Sequence, residues 1–100
     1  MNPIMEMGQL NKMAMDRCNR GDLANAKFML RQALMRSRAC TSPLPGARIR
    51  NNLAIVLTMR GKADCARKLL GEALETLNAH RLGHTKFHEQ VRKGMEQLAA

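Results

Sequence analysis

The segment Gly21–Leu34, GDLANAKFMLRQAL, returns loosely rewritten at Gly61–Leu74 as GKADCARKLLGEAL. Laid over one another, the two place Gly21 on Gly61, Ala26 on Ala66, Leu30 on Leu70, Ala33 on Ala73 and Leu34 on Leu74. The same offset of about 40 residues carries Asn11 to Asn51, Ala14 to Ala54 and Arg20 to Arg60. A fixed period of about 20–50 residues is the sequence mark of a repeat architecture. The matched residues are the kinds that packing selects. Alanine lets helices approach closely, leucine fills the space between them, and glycine turns the chain after a helix.

The flanking sequence completes the helices. Residues 3–19 read as a first helix, with Pro3 suited to its first turn and Ile4, Met7, Leu10, Met13/Ala14 and Arg17/Cys18 at helical spacing. Asn19-Arg20-Gly21 ends it, with Gly21 available for a left-handed cap. Asp22 caps a second helix running to about Arg38, whose inner face is Ala26, Met29/Leu30, Ala33/Leu34 and Ser37. The stretch Cys40–Gly46, CTSPLPG, is the clearest break. Thr41 or Ser42 is placed to cap a third helix, with Pro43 and Pro45 in its first turn and Ile49, Leu53, Val56 and Leu57 as its apolar positions. A fourth helix spans about Ala63 to Asn78 and buries Ala66, Leu69/Leu70, Ala73/Leu74 and Leu77. After Leu82-Gly83, a fifth near Thr85–Leu98 has Phe87, Val91, Gly94/Met95 and Leu98 on one stripe. Strand-favouring residues are scarce, since Phe28 and Phe87 are the only aromatics. The expectation is one all-α domain over residues 1–100, with one unit at about 3–40, a second at about 44–79 and a capping helix at about 85–98.

From about Leu10 to Leu77 these residues resemble the tetratricopeptide repeat, a helix–turn–helix unit that stacks into a right-handed superhelix. The resemblance rests on Met13-Ala14 and Leu53-Ala54 in the first helices, and on Ala26/Leu30/Ala33 and Ala66/Leu70/Ala73 in the second. Asn51-Asn52-Leu53-Ala54, followed by Gly61 and Ala66, is similar to the long-period subclass found in kinesin light chains. The large aromatics of the family's first helix are replaced by Leu10, Arg17, Arg50 and Leu57, and the proline after the second helix is absent. The resemblance implies two such units plus a cap, with a concave face lined by the first helix of each unit. Its partner-binding candidates are Asn11, Met15, Asn19, Arg48, Asn51, Asn52, Ile55 and Met59. In the family, an asparagine at the place of Asn52 often holds the backbone of an extended peptide, for which a carboxamide offers both donor and acceptor. Arg48 would then meet an acidic side chain or a C-terminal carboxylate. The resemblance thus implies a non-catalytic protein-interaction module, an adaptor or small chaperone, gripping a segment of an acidic partner protein.

Charge sharpens the choice of partner. The formal charge is +9, and no acidic residue lies between Asp22 and Asp64, a span holding Lys27, Arg31, Arg36, Arg38, Arg48, Arg50, Arg60 and Lys62. Such a field attracts anionic partners. Nucleic acid is therefore the alternative, carried by a Lys27, Arg31 and Arg38 stripe on the second helix. Against it stand the lack of aromatics for base stacking and of any base-reading motif. Catalytic signatures such as a phosphate loop, GxSxG or HExxH are absent, so no enzyme and no cofactor is expected. His80, His84 and His88 are four apart, but Gly83 interrupts the helix between them and no metal site is expected. Nine methionines, four of them (Met5, Met7, Met13 and Met15) on the first helix, leave that helix apolar on more than one side. Two units are also fewer than the three or so that bury a continuous core, so a homodimer is expected. With no apolar run near the roughly 20 residues of a membrane helix, no secretion signal, and Cys18, Cys40 and Cys65 unpaired in pattern, a cytoplasmic protein is expected.

Overall fold

Five helices follow one another in the computed structural model: α1 (Pro3–Asn19), α2 (Leu23–Ser37), α3 (Leu44–Met59), α4 (Ala63–Ala79) and α5 (Lys86–Ala99). It describes residues 2–99, and no strand occurs among them. Met1 and Ala100, the ends of the expected domain, lie outside the described residues.

Local chemistry sets the helix ends. Asn2 caps α1, its Oδ1 accepting from the Ile4 N–H at 2.8 Å. Asp22 caps α2 through the Asn25 N–H at 3.4 Å and also accepts from the Asn25 side-chain amide at 2.8 Å. That amide, helped by the Asn25 N–H and by Arg17, holds the Asp22 carboxyl below the ordinary carboxylate range. The start of α3 differs from expectation. Pro43 is its N-cap and gives no side-chain bond, while Ser42 Oγ accepts from the Leu44 N–H at 3.3 Å.

Three of the helices end in one and the same turn. Gly21 (φ 83°) and Gly61 (φ 78°) take the left-handed conformation that glycine allows, and Arg81 (φ 61°) takes it without being glycine. In each turn the following N–H reaches five residues back: Asp22 to Arg17 O at 2.9 Å, Lys62 to Leu57 O at 2.8 Å, and Leu82 to Leu77 O at 2.7 Å. This is the Schellman arrangement, which satisfies carbonyls the helix leaves open.

The repeat seen in the sequence is a repeat of environment. Ala14 and Ala54, Ala26 and Ala66, Ala33 and Ala73, and Leu30 and Leu70 are all buried, and Leu34 and Leu74 are both half-buried. α1 packs on α2 and α3 on α4, α2 and α1 both meet α3, and α5 closes on α4. Alanine at the contact points permits close approach, and Leu30, Leu53, Leu77 and Val91 fill the space between. Burying each leucine stabilises the fold by about 1.5–3 kcal/mol.

The first helix departs from its expected stripe. Met7, Ala14 and Cys18 are buried, but Ile4, Met13 and Arg17 are exposed. The cause is position in the stack. One repeat later Met13 becomes Leu53, which is fully buried in the inner α3, whereas Met13 on the outer α1 is 47% exposed.

Candidate partner-binding groove

α1, α3 and α5 together line one open side of the molecule. On α3, Arg48, Asn51, Asn52, Ile55 and Met59 follow the 3–4-residue spacing of a single stripe. At its centre, a hollow of about 170 Å³ gathers Asn11, Arg48, Asn51 and Asn52, four of the residues proposed from sequence, with Phe87 and Gln90 from α5. Next to it, between α3 and α5, runs an open trough of about 440 Å³ where Asn51 and Ile55 face Lys86, Gln90, Lys93 and Gln97. A third hollow of about 210 Å³ lies between α1 and α3, where Met7, Asn11 and Leu44 meet Arg48.

Two contacts fix this side. Asn52 Nδ2 donates to Asn11 Oδ1 at 2.9 Å, tying α3 to α1. The Arg48 guanidinium lies over the Phe87 ring, 4.9 Å from its centre, tying α3 to α5. Asn52 therefore holds a neighbouring helix, and its amide is only partly free for a ligand. Asn51 is placed better for that task. It is 8% exposed and makes no side-chain hydrogen bond among the described residues, yet it lines both the central hollow and the trough. A carboxamide at a cavity floor without a partner can bond both the N–H and the C=O of a peptide.

The remaining expected residues lie toward the far end of the helices and line none of the three hollows. Met15 is half-buried, and Asn19 and Met59 are exposed. The Met59 sulfur accepts from the buried Cys18 thiol at 3.5 Å. Sequence reasoning missed Phe87, Lys86, Gln90, Lys93 and Gln97, having treated the fifth helix only as a cap. Their signal was the polar stripe at 86, 90, 93 and 97, beside the apolar Phe87/Val91 stripe. The trough is positive on balance, since Lys86 and Lys93 border it against Glu89, which pairs with Lys93 at 3.3 Å, and Arg48 adds its charge in the central hollow beside it.

The histidines stand apart, His80 and His84 in the turn region and His88 on α5. His80 Nδ1 donates to Thr76 O at 2.9 Å, and His88 Nε2 is buried without a partner. Among the described residues no three of His, Cys, Asp or Glu converge on one point. No helix among them is long and apolar enough to cross a membrane. No protein-family model matches the chain, and searches of the curated proteins and of the solved structures found no match.

Proposed function

We propose that this chain is a non-catalytic protein-interaction module, two tetratricopeptide-like units and a capping helix, that grips an extended segment of an acidic partner protein along the side lined by α1, α3 and α5. The observation that carries this reading is the unpartnered Asn51 carboxamide, shared by the central hollow that Arg48 borders and the trough that Lys86 and Lys93 border. Asn51 and Gln90 bond the backbone of the segment, Ile55 meets its apolar side chains, and the cations select acidic ones.

Selection from a random displayed-peptide library tests it. Enriched peptides are expected to be rich in Asp and Glu and to lose binding to Asn51→Ala/Arg48→Glu, while helicity by circular dichroism is unchanged. Enrichment without acidic character, or binding indifferent to the double variant, contradicts the reading. The same preparation titrated with mixed-sequence RNA and DNA at moderate ionic strength separates it from nucleic-acid binding.

The exposed flank of α1 supports self-association. Ile4 and Met13 stand uncovered where Leu44 and Leu53, one repeat later, are half-buried and buried. A second copy covering that flank supplies the missing packing layer. Met13→Glu is then expected to turn a dimer into a monomer in light scattering, and a wild-type monomer contradicts it.

A further inference from the structure

Arg48 faces the groove, whereas Gly46 and Arg50 lie roughly 160–200° around α3 from it, at about 100° per residue. On that other side is a hollow of about 280 Å³ where the end of α2, the connection after it, the first turn of α3 and the end of α4 meet. Its chemistry belongs to no part of the groove. Arg38, Thr41, Ser42, Gly46, Arg50 and His80 border it, and no carboxylate does.

We propose that this hollow is a binding site for a phosphate-like oxyanion. Arg50 is the first reason. Its Nε is buried and has no hydrogen-bond partner. The nearest carboxylate, Glu72, stands at 3.9 Å, an ion pair too long for a hydrogen bond. The Arg50 side chain is 26% exposed, so with Nε enclosed its guanidinium can still meet an anion in the hollow. Gly46 lets it lie there, because a Cβ at that position would come within 3.1 Å of Arg50 Nη1 and 3.3 Å of Ser37 Oγ.

Donors left over by the fold are the second reason. Pro43 and Pro45 have no N–H, and the Leu44 N–H bonds Ser42 Oγ, but the Gly46 N–H in the same turn has no partner. Among the described residues the Thr41 hydroxyl has none either, and Arg38 is exposed and pairs with no carboxylate. His80 turns Nδ1 to Thr76 O, leaving Nε2 unused. Residues carrying two guanidinium groups, a hydroxyl and a backbone N–H border one hollow, a set that suits the several oxygens of a tetrahedral oxyanion better than the flat pair of a carboxylate.

Titration of the ¹⁵N-labelled chain with orthophosphate and, separately, with O-phosphoserine, against chloride at matched ionic strength, decides it. Saturable shifts of the Thr41, Ser42 and Gly46 amides are expected with at least one phosphate, while Asn51 and Gln90 stay in place. Arg38→Gln/Thr41→Val, at two exposed positions outside the core, should weaken binding about tenfold with the spectrum otherwise preserved. Arg50→Gln should weaken it further. Tighter binding of O-phosphoserine than of orthophosphate assigns the site to a phosphorylated side chain, and the reverse to the free ion. Shifts that do not saturate, that chloride reproduces, or whose affinity is unmoved by Arg38→Gln/Thr41→Val overturn the site.

Discussion

Replacing Arg81 with glycine should make the protein more stable. Arg81 ends α4 at φ 61°, in the turn that Gly21 and Gly61 make at φ 83° and 78°. The hydrogen bonding is the same at all three: Arg81 N–H to Asn78 O at 3.1 Å and Leu82 N–H to Leu77 O at 2.7 Å repeat the bonds around Gly61 at 3.0 and 2.8 Å. A side chain in the left-handed region costs about 1–2 kcal/mol. Glycine removes that cost but widens the unfolded ensemble, which takes back about 0.4–1 kcal/mol. Arg81 is exposed and its side chain makes no hydrogen bond or ion pair among the described residues, so no other contact there is lost. The net gain is about 0.8 kcal/mol at the middle of these ranges. For a domain of this size that is a rise in Tm of roughly 3–6 °C. Gly61→Arg runs the comparison in reverse and should destabilise by a similar amount. Urea unfolding followed by far-ultraviolet circular dichroism measures both, and an unchanged m-value would show that the folded state is retained. A lower midpoint for Arg81→Gly, or a higher one for Gly61→Arg, would refute the equivalence of the three turns.

Other perturbations act on particular contacts. Leu53→Ala empties a fully buried position on the central helix and should cost about 2–5 kcal/mol in the same unfolding assay, whereas Met13→Ala, its exposed counterpart one repeat earlier, should cost far less. A double-mutant cycle on Asn11→Ala and Asn52→Ala should return a coupling of about 0.5–1.5 kcal/mol, and a coupling near zero would show that the 2.9 Å bond does not form in solution. For Asp22, the hydrogen bond from the Asn25 side-chain amide lowers the folded-state pKa, so its contribution is present above the ordinary carboxylate pKa of about 4 and is lost as pH falls through the folded value. The stability gap between wild type and Asp22→Ala should therefore be constant near neutrality and narrow only on the acid side; a gap that widens on acidification contradicts the sign.

The helices and the repeat were legible because alanine and leucine recur at helical spacing and glycine punctuates them. Ala14/Ala54, Ala26/Ala66 and Ala33/Ala73 needed nothing more than their positions. Where a signal depended on neighbours, it was not legible. Met13 and Leu53 occupy equivalent places in equivalent patterns, and only the stack determines that one is bare and the other covered. Arg81 gives no hint of a left-handed turn, because that conformation is read from glycine, and Gly83 two residues on drew the boundary there instead. In the groove, the Arg48, Asn51 and Asn52 cluster came from one helical stripe, while the partners Phe87 and Gln90 come from a helix about 40 residues away. Local spacing sets which side chains share a helix face; which faces meet is a tertiary outcome. The Asn52–Asn11 bond is such an outcome, and it moved the free carboxamide from Asn52 to Asn51.

If a partner lies along the side formed by α1, α3 and α5, amide and side-chain shifts on adding a selected acidic peptide should be largest at Asn11, Arg48, Asn51, Ile55 and Gln90. The Asn51 carboxamide protons should move most. Shifts centred on the outer positions of α2 and α4, such as Phe28, Met35, Lys68 and Glu75, with Asn51 unmoved, would contradict the groove.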